Sequence, residues 1–328
     1  SLSNGLKGAQ TKSFDMESTG LARSSDTHPK PKLFRQHWGK LLLLNWPIDK
    51  KCLRALIPHE LEIDQFSGSA WISIVPFTMW KIRSTFTPPI PGLSTFHELN
   101  VRTYVSLKGE PGVWFFSLDA ASIIAVWFAR TFYQLPYFRA SMSMSQKGET
   151  FDFTSQRIHH GAPQAEIKLK WTAEDPLPKC HPGTLTWFLT ERRRFYSYYR
   201  NRVHTASVSH ESWPLRNATL HSFDSSMLAP LNILPPESTP ILYHCDNLPV
   251  EISRLKKVTD ATESSSILEP AVPKPASFFK KEKEQSPDIS TIQITSYDNP
   301  RFTNDIVQTL FFAVKSRNNV ANVENHPT

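Results

Sequence analysis

The distribution of tryptophan limits which part of this chain can form a folded core. All nine tryptophans lie between Leu33 and Arg254. Before Leu33 the chain is rich in Ser, Thr, Lys and Gly, and beyond residue 258 Ser, Pro, Lys and Glu dominate. Such compositions bury too little apolar surface to offset the entropy of ordering the chain. We therefore predict one folded domain, residues 33–258, between a disordered polar segment, 1–32, and a mostly disordered tail, 259–328.

Composition and motifs exclude several classes of protein. The three cysteines form no CxxC pair, which argues against a zinc site or a disulfide framework and is typical of a reducing compartment. The sequence contains no P-loop, GxGxxG, GxSxG or HExxH motif, and its longest apolar run near the N-terminus is too short to span a membrane. We therefore predict a cytoplasmic protein without a cofactor, a metal site or a membrane segment. The formal net charge of +7 is too mild to indicate a nucleic-acid partner.

Alternating residue patterns indicate that most of the domain forms β-strands. Residues 69–80 are apolar on both faces, so this strand should be covered on both sides, and Pro76, which lacks a backbone donor, requires an edge or a bulge. Helical spacing over 120–134 predicts one helix with Asp119 as its N-cap. A long strand is predicted through 184–203. Runs of strands with one good helix indicate an α+β fold, mainly antiparallel and barrel-like.

The strand predicted at 97–108 has the most informative alternation. One of its faces is apolar, and the other presents Glu98, Asn100, Arg102 and Tyr104 in a row. Arginine can bind a carboxylate through two hydrogen bonds, and a buried glutamate can act as an acid or a base. Two interpretations stay open here: a functional site, or the solvated face of an antiparallel strand, which produces the same alternation.

A basic and aromatic stretch at 191–202 offers an alternative function. In a single strand, four arginines and two tyrosines would share one face: Arg192, Arg194, Tyr196, Tyr198, Arg200 and Arg202. Such a face resembles a nucleic-acid platform of stacking rings and phosphate-binding charges. Arginine stems that simply cover neighbouring aromatic rings would give the same pattern. The alternative, a nucleic-acid or protein interaction module, fails if these arginines are buried or paired with acids.

The chain resembles the YqjF-like family of uncharacterised conserved proteins in six segments that occur in the same order: GSAWISIVPFTM, ELNVRTYV, PGVWFFSLDA, ARTFYQLPYFRASM, FLTERRRFYSYY and HESWPLRNA. The resemblance spans about 33–258 and does not extend to either tail. That family is similar to the acetoacetate decarboxylase superfamily, whose fold is an antiparallel, cone-shaped β-barrel with an internal ligand cavity and a few helices. The resemblance therefore implies such a barrel with a polar pocket.

The resemblance also allows a comparison with the decarboxylase motif G-R-E-x-x-G-F-P-K-K-x-A. Three residues of the corresponding stretch, 129–140, match this motif: Arg130, Pro136 and Ala140. Tyr137 occupies the position of the Schiff-base lysine, and Phe138 that of the lysine which lowers its pKa. Because tyrosine cannot form an imine, the resemblance implies that the lysine mechanism is lost. Glu98 falls where the superfamily places a cavity glutamate.

Together these patterns predict a pocket for a small acidic or carbonyl ligand. The candidate catalytic residues are Glu98, Arg130 and Tyr137, and the candidate ligand-binding residues are Asn100, Arg102 and Tyr104. Arg102 and Arg130 would bind anionic oxygen, and Tyr104 and Tyr137 would donate hydrogen bonds. Any reaction would be lyase- or isomerase-like without a lysine imine. A pure binding module, an enzyme fold that has lost its active site, and assembly into a homo-oligomer stay open.

Overall fold

The computed structural model describes residues 32–84 and 95–258, which form a mainly β structure. Apart from Lys32, the two tails predicted to be disordered lie outside these residues. The described part contains three α-helices and one 3-10 helix: α1 Lys50–Arg54, α2 Ile123–Phe132, α3 Leu185–Thr190 and Ala229–Leu231. Its strands are β1 Lys32–Ile48, β2 Glu62–Ile63, β3 Ala70–Ser84, β4 Phe96–Leu107, β5 Glu110–Ala120, β6 Tyr137–Lys147, β7 Thr150–Arg157, β8 Glu166–Pro176, β9 Arg194–Tyr199, β10 Arg202–His210, β11 Leu215–Ser225, β12 Ile241–Ser253 and β13 Lys256–Lys257.

Nine of these strands close into a mixed β-barrel. Hydrogen bonding runs in the order β5-β6-β7-β8-β11-β12-β1-β3-β4, and β4 pairs again with β5. The β5–β6 pair is parallel, with Leu118 opposite Tyr137, and the other neighbours are antiparallel. Closure gives each of the nine strands a partner on both sides, which removes free sheet edges. The predicted mainly antiparallel barrel with a few helices is confirmed.

Part of this barrel also belongs to a second closed circuit, which we call the seven-stranded ring. β9 pairs with β5 and with β10, and β10 pairs with β12, so the ring runs β5-β9-β10-β12-β1-β3-β4. On β3, Ile72 and Ile74 contribute to one buried cluster, and Val75 and Phe77 contribute to another. The central strands are therefore buried on both faces, as predicted from the apolar pattern of 69–80.

The bulge predicted near Pro76 lies on the neighbouring strand β1. The register between β1 and β3 shifts just after Gly39, opposite this proline, so the missing backbone donor falls beside a β-bulge. Lys40, within the bulge, has a φ of 47°. A Cβ on Gly39 would clash with the main-chain oxygen of Asp246 on β12, so only glycine allows the close approach of β1 and β12 here.

The predicted helix is present, but the predicted N-cap is wrong. Asp119 lies within β5, and the side chain of Ser122 accepts the hydrogen bond from the backbone N–H of Ala125. The strand continues past Asp119 because this residue is paired in the β4–β5 ladder, opposite Leu99. Ser122 is then the next residue that can cap the helix.

The predicted long strand through 184–203 is also wrong. Its first part forms α3, because the Thr184 side chain caps that helix by accepting the backbone N–H of Trp187. β9 begins only at Arg194 and ends at Tyr199, where a turn leads into β10.

Candidate functional site

The polar row of β4 lies inside the protein. The exposed fractions of Glu98, Asn100, Arg102 and Tyr104 are 2%, 5%, 6% and 0%. These residues face the interior of the seven-stranded ring, because Glu98 pairs with Phe77, a member of the buried cluster there. The interpretation as a solvated strand face is wrong, since β4 has a partner strand on each side and a core against each face.

Glu98 and Tyr137 form the centre of the candidate site. Glu98 lies on β4 opposite Ala120 of β5, and Tyr137 begins β6, which pairs with the same end of β5. The Tyr137 hydroxyl donates a hydrogen bond of 2.9 Å to Glu98 Oε2. Among the described residues, Glu98 Oε1 has no hydrogen-bond partner. One of the two Glu98 carboxyl oxygens therefore carries no hydrogen bond from the described residues.

Burial raises the pKa of both groups. Loss of hydration raises the pKa of Glu98 to about 8, with a further increase from the charge of Asp119 and a partial decrease from the Tyr137 hydrogen bond. The pKa of Tyr137 lies well above its ordinary value because the hydroxyl is buried next to Glu98. Near neutral pH, Tyr137 is therefore neutral, and Glu98 can take up or release a proton.

Arg130 contacts the main chain of Tyr137 rather than a carboxylate. It lies in the last turn of α2, is half-buried, and its Nη1 donates a hydrogen bond of 2.9 Å to the Tyr137 carbonyl. This contact fixes the start of β6 against the end of α2. The structure thus places Arg130 next to the Glu98–Tyr137 pair, with its guanidinium directed to the backbone.

The predicted ligand-binding residues differ in how far their polar atoms are satisfied. The Tyr104 hydroxyl is 2.8 Å from Ser73 Oγ and 3.5 Å from Asn45 Oδ1, so it already has partners. Asn100 Oδ1 and Arg102 Nε are buried, and no described residue forms a hydrogen bond with either atom. Burying such atoms without partners is costly, and each one requires an explanation.

The structure also contains a buried ion pair that the sequence analysis missed. Arg157 donates hydrogen bonds to both carboxylate oxygens of Asp119, at 2.7–3.2 Å, and neither side chain is more than 3% exposed. Burial raises the pKa of the Asp119 carboxyl, and the hydrogen bonds and charge of Arg157 lower it. The two residues lie 38 positions apart, so only the pairing of β5, β6 and β7 brings them together.

Residues 191–202 do not form the basic and aromatic face required for the alternative function. β9 contains only three of the six predicted residues. Arg192 is buried and forms an ion pair with Asp64, and Arg194 forms one with Glu110. Pairing with acids neutralises two of the four predicted arginines, and the other two, Arg200 and Arg202, are exposed but lie outside β9.

Two further features are absent from the described part of the chain. None of its helices is long and apolar enough to cross a membrane. No group of three or more His, Cys, Asp or Glu side chains within 32–84 and 95–258 is arranged to hold a metal ion. A surface depression lined by residues such as Pro47, Lys50 and Gln65 contains none of the predicted site residues.

Solved structures of low sequence identity share the fold of this barrel. Its structure is similar to that of the enduracididine biosynthesis enzyme MppR with HEPES buffer bound, with a TM-score of 0.51 and 14% identity over 73% of this chain and 92% of that chain. For MppR complexed with the condensation product of pyruvate and imidazole 4-carboxaldehyde, the TM-score is 0.50 and the identity is 12%, over 73% of this chain and 94% of that chain. For an acetoacetate decarboxylase the TM-score is 0.48 and the identity is 15%, over 75% of this chain and 96% of that chain.

The sequence defines the family more narrowly. Residues 35–249 match the DUF2071 family, described as "Uncharacterized conserved protein (COG2071)", and the chain belongs to this family. It is 39% identical over 231 residues to "Uncharacterized protein YqjF" of Bacillus subtilis (strain 168), which covers 69% of this chain and 92% of that protein. The resemblance to the YqjF-like family is therefore confirmed.

Proposed function

We propose that the interior of the seven-stranded ring binds a small acidic or carbonyl compound beside Glu98 and Tyr137, and that this pair exchanges a proton with the ligand. The observation that carries the proposal is the buried Glu98 carboxyl, which receives its hydrogen bond from a neutral tyrosine. A buried carboxyl is costly, and strongly shifted carboxyl groups cluster at functional sites. With a pKa of about 8, both protonation states of Glu98 are populated near neutral pH, as a general acid or base requires.

The chemistry proposed here does not use an imine. The resemblance to the decarboxylase motif puts Tyr137 and Phe138 at the positions of the two lysines, and neither side chain can form a Schiff base. Glu98 is instead suited to donate a proton to a carbonyl oxygen or to remove one from an adjacent carbon. Such proton transfers belong to lyase- and isomerase-type reactions.

The other predicted residues take supporting roles in this proposal. Arg130 is a positioning residue, because it holds the Tyr137 backbone. Asn100 and Arg102 line the same face of β4 and have polar atoms left for a ligand. Tyr104 supplies a wall of the site through its ring, since its hydroxyl is bonded to Ser73.

A structural neighbour supports the ligand class. The enzyme MppR, which has the same fold, has been determined in complex with the condensation product of pyruvate and imidazole 4-carboxaldehyde. That ligand belongs to MppR. For the present chain it supports a search among keto acids and related compounds.

The proposal is tested by thermal unfolding of the full chain with keto acids, hydroxy acids and acyl compounds. A ligand at 100 times its Kd stabilises the protein by about 2.7 kcal/mol, which is about 5–10 °C for a domain of this size. We expect a shift in the wild type and in Glu166→Gln, a control at an exposed glutamate, and a smaller shift in Glu98→Gln. The stabilising compound is then assayed for turnover.

Two outcomes contradict the proposal. One is an equal thermal shift in the wild type and in Glu98→Gln, which would place the ligand elsewhere. The other is the absence of a shift with every class of compound in a protein that unfolds cooperatively.

A further inference from the structure

We infer that the inner face of the seven-stranded ring contains a subsite for a carboxylate, formed by the side chains of Arg102 and Trp71. This inference rests on the proposed function, because it names the charged group of the ligand that binds beside Glu98. It assigns a role to Trp71, which the sequence patterns did not single out.

The first observation is the charge of Arg102. Three arginines of the described residues are buried, and two of them form ion pairs: Arg157 with Asp119 and Arg192 with Asp64. Arg102 has no carboxylate partner among the described residues.

The remaining contacts of Arg102 are weak. Within the described part of the chain, its one hydrogen bond is a long one of 3.4 Å from Nη2 to the Leu189 carbonyl, and its Nε has no partner. The segment 85–94, which precedes β4, contains no Asp or Glu that could pair with it. A buried guanidinium is costly unless an anion compensates its charge, and the described residues supply no such anion at this point.

The second observation is the indole of Trp71. Its Nε1–H is buried and has no acceptor within 32–84 and 95–258. Trp71 and Ser73 share one face of β3, and Ser73 pairs directly with Arg102 of β4. Trp71 also packs in a cluster with Leu189, the residue whose carbonyl Arg102 contacts. Two unsatisfied donors, one of them charged, therefore lie against the same cluster.

The neighbouring polar groups do not supply the missing acceptor. The Tyr104 hydroxyl, Ser73 Oγ and Asn45 Oδ1 are bonded to one another, and Asn45 Nδ2 donates to the Ile241 carbonyl. This closed network leaves the Arg102 and Trp71 donors for an external acceptor. A carboxylate carries the required single negative charge and two acceptor oxygens.

The adjacent Asn100 specifies a second property of the ligand. Its Oδ1 is a buried acceptor to which no described residue donates a hydrogen bond. Asn100 lies on the same face of β4 as Arg102, two residues or about 7 Å away along the strand. Glu98 lies one such position further on. The ligand that satisfies Arg102, Asn100 and Glu98 is a monocarboxylic acid that also carries a hydroxyl or amino donor. Its reactive group is directed toward Glu98.

The subsite is tested with small probes and the indole N–H resonances of the full chain. Trp71→Phe deletes the Trp71 signal and so assigns it. Trp46→Phe assigns a control indole, which is already bonded to the Ser238 carbonyl. Formate and acetate are titrated, and formamide and acetamide serve as neutral matches of the same shape. We expect the carboxylates to shift the Trp71 signal, and the amides and the Trp46 signal to show no response.

The variants give the expected magnitudes. A hydrogen bond to a charged group corresponds to roughly 10- to 100-fold in affinity, so Trp71→Phe should weaken acetate binding about tenfold and Arg102→Gln at least 100-fold. Trp71→Phe keeps an aromatic ring in the buried cluster while it removes the N–H, so it remains informative if Arg102→Gln does not fold. An unresponsive Trp71 signal, or an equal response to acetate and acetamide, overturns the subsite.

Glu98→Gln separates this inference from the proposed function. Acetate should bind this variant with unchanged affinity, because the subsite does not include Glu98. If acetate shifts the Trp71 signal but keto acids stabilise Glu98→Gln as well as the wild type, the subsite stands and the proposed function fails. If keto-acid binding depends on Glu98 but not on Arg102 or Trp71, the proposed function stands and the subsite fails.

Discussion

Tyr137 donates a hydrogen bond of 2.9 Å to Glu98, 39 residues away in the chain, within a core whose other members are mainly apolar. The contact arises because β4 and β6 both pair with the same end of β5. The raised pKa of Glu98 has the same origin, since closure of the seven-stranded ring removes its carboxyl from water.

Stability should depend on pH through Glu98. The folded protein binds the Glu98 proton more tightly than the unfolded chain, so this stabilisation is complete below pH 4.5 and is lost as the pH rises toward about 8. The contribution should change by at most about 1.4 kcal/mol per pH unit. The measurement is the free energy of unfolding in denaturant from pH 4.5 to 8.5 for the wild type and for Glu98→Gln. Their difference should favour Glu98→Gln increasingly as the pH rises; a constant difference would contradict a raised pKa.

Removal of the Tyr137 hydroxyl should raise the pKa of Glu98 further. Tyr137→Phe leaves Glu98 Oε2 without its donor, which should cost about 1–3 kcal/mol of stability. Tyr133→Phe is the matched control, because Tyr133 is buried in the same core and its hydroxyl donates to the Ser253 carbonyl. Only Tyr137→Phe should move the pH dependence of unfolding to higher pH. If both variants leave that dependence unchanged, the hydrogen bond does not control the protonation of Glu98.

The Asp119–Arg157 pair should be more costly to break than to replace. Arg157→Met leaves the Asp119 carboxylate buried and unpaired, with an expected loss of about 3–5 kcal/mol. The double variant Asp119→Leu/Arg157→Met should be more stable than the single variant, because it removes both buried charges. Denaturant unfolding of the single and double variants gives the comparison. A double variant that is less stable than Arg157→Met would indicate that the pair itself is strongly stabilising.

The arginines of 191–202 should affect stability rather than nucleic-acid binding. Arg192→Met should destabilise the protein because it leaves Asp64 without its partner, whereas Arg202→Met, at an exposed position, should change stability by less than about 0.5 kcal/mol. Binding of single-stranded RNA at low salt provides the functional readout. RNA binding that both substitutions weaken and that falls steeply with salt would restore the interaction-module interpretation.

The sequence was sufficient for the fold and for the residues of one strand. Period-two alternation predicts that Glu98, Asn100, Arg102 and Tyr104 share one face of β4. The barrel is predicted from the resemblance of the sequence motifs to the family. Alternation does not determine whether that face meets water. Burial here depends on β9 and β10, whose pairing with β5 and β12 is non-local and leaves no mark in the pattern of β4 itself.

The wrong predictions arise because a sequence pattern does not show non-local contacts of this kind. Asp119 is a good N-cap type, and only its ladder position and its ion pair with Arg157 keep it in β5. Residues 184–190 are compatible with a strand by composition, and Thr184, three residues before Trp187, was the available signal for a helix start. The apolar pattern of 69–80 does not single out Trp71, because an unsatisfied indole N–H becomes visible only once its neighbours are placed.

The central claim is that Glu98 is a buried acid that titrates near neutral pH, and the direct measurement is its titration by carboxyl carbon NMR. The Glu98 signal is identified as the one absent from Glu98→Gln. A midpoint of about 8 is predicted. A midpoint near the ordinary value of 4.5 would mean that the carboxyl is hydrated or paired with a positive charge, and would contradict the proposed role of Glu98 as a proton donor and acceptor.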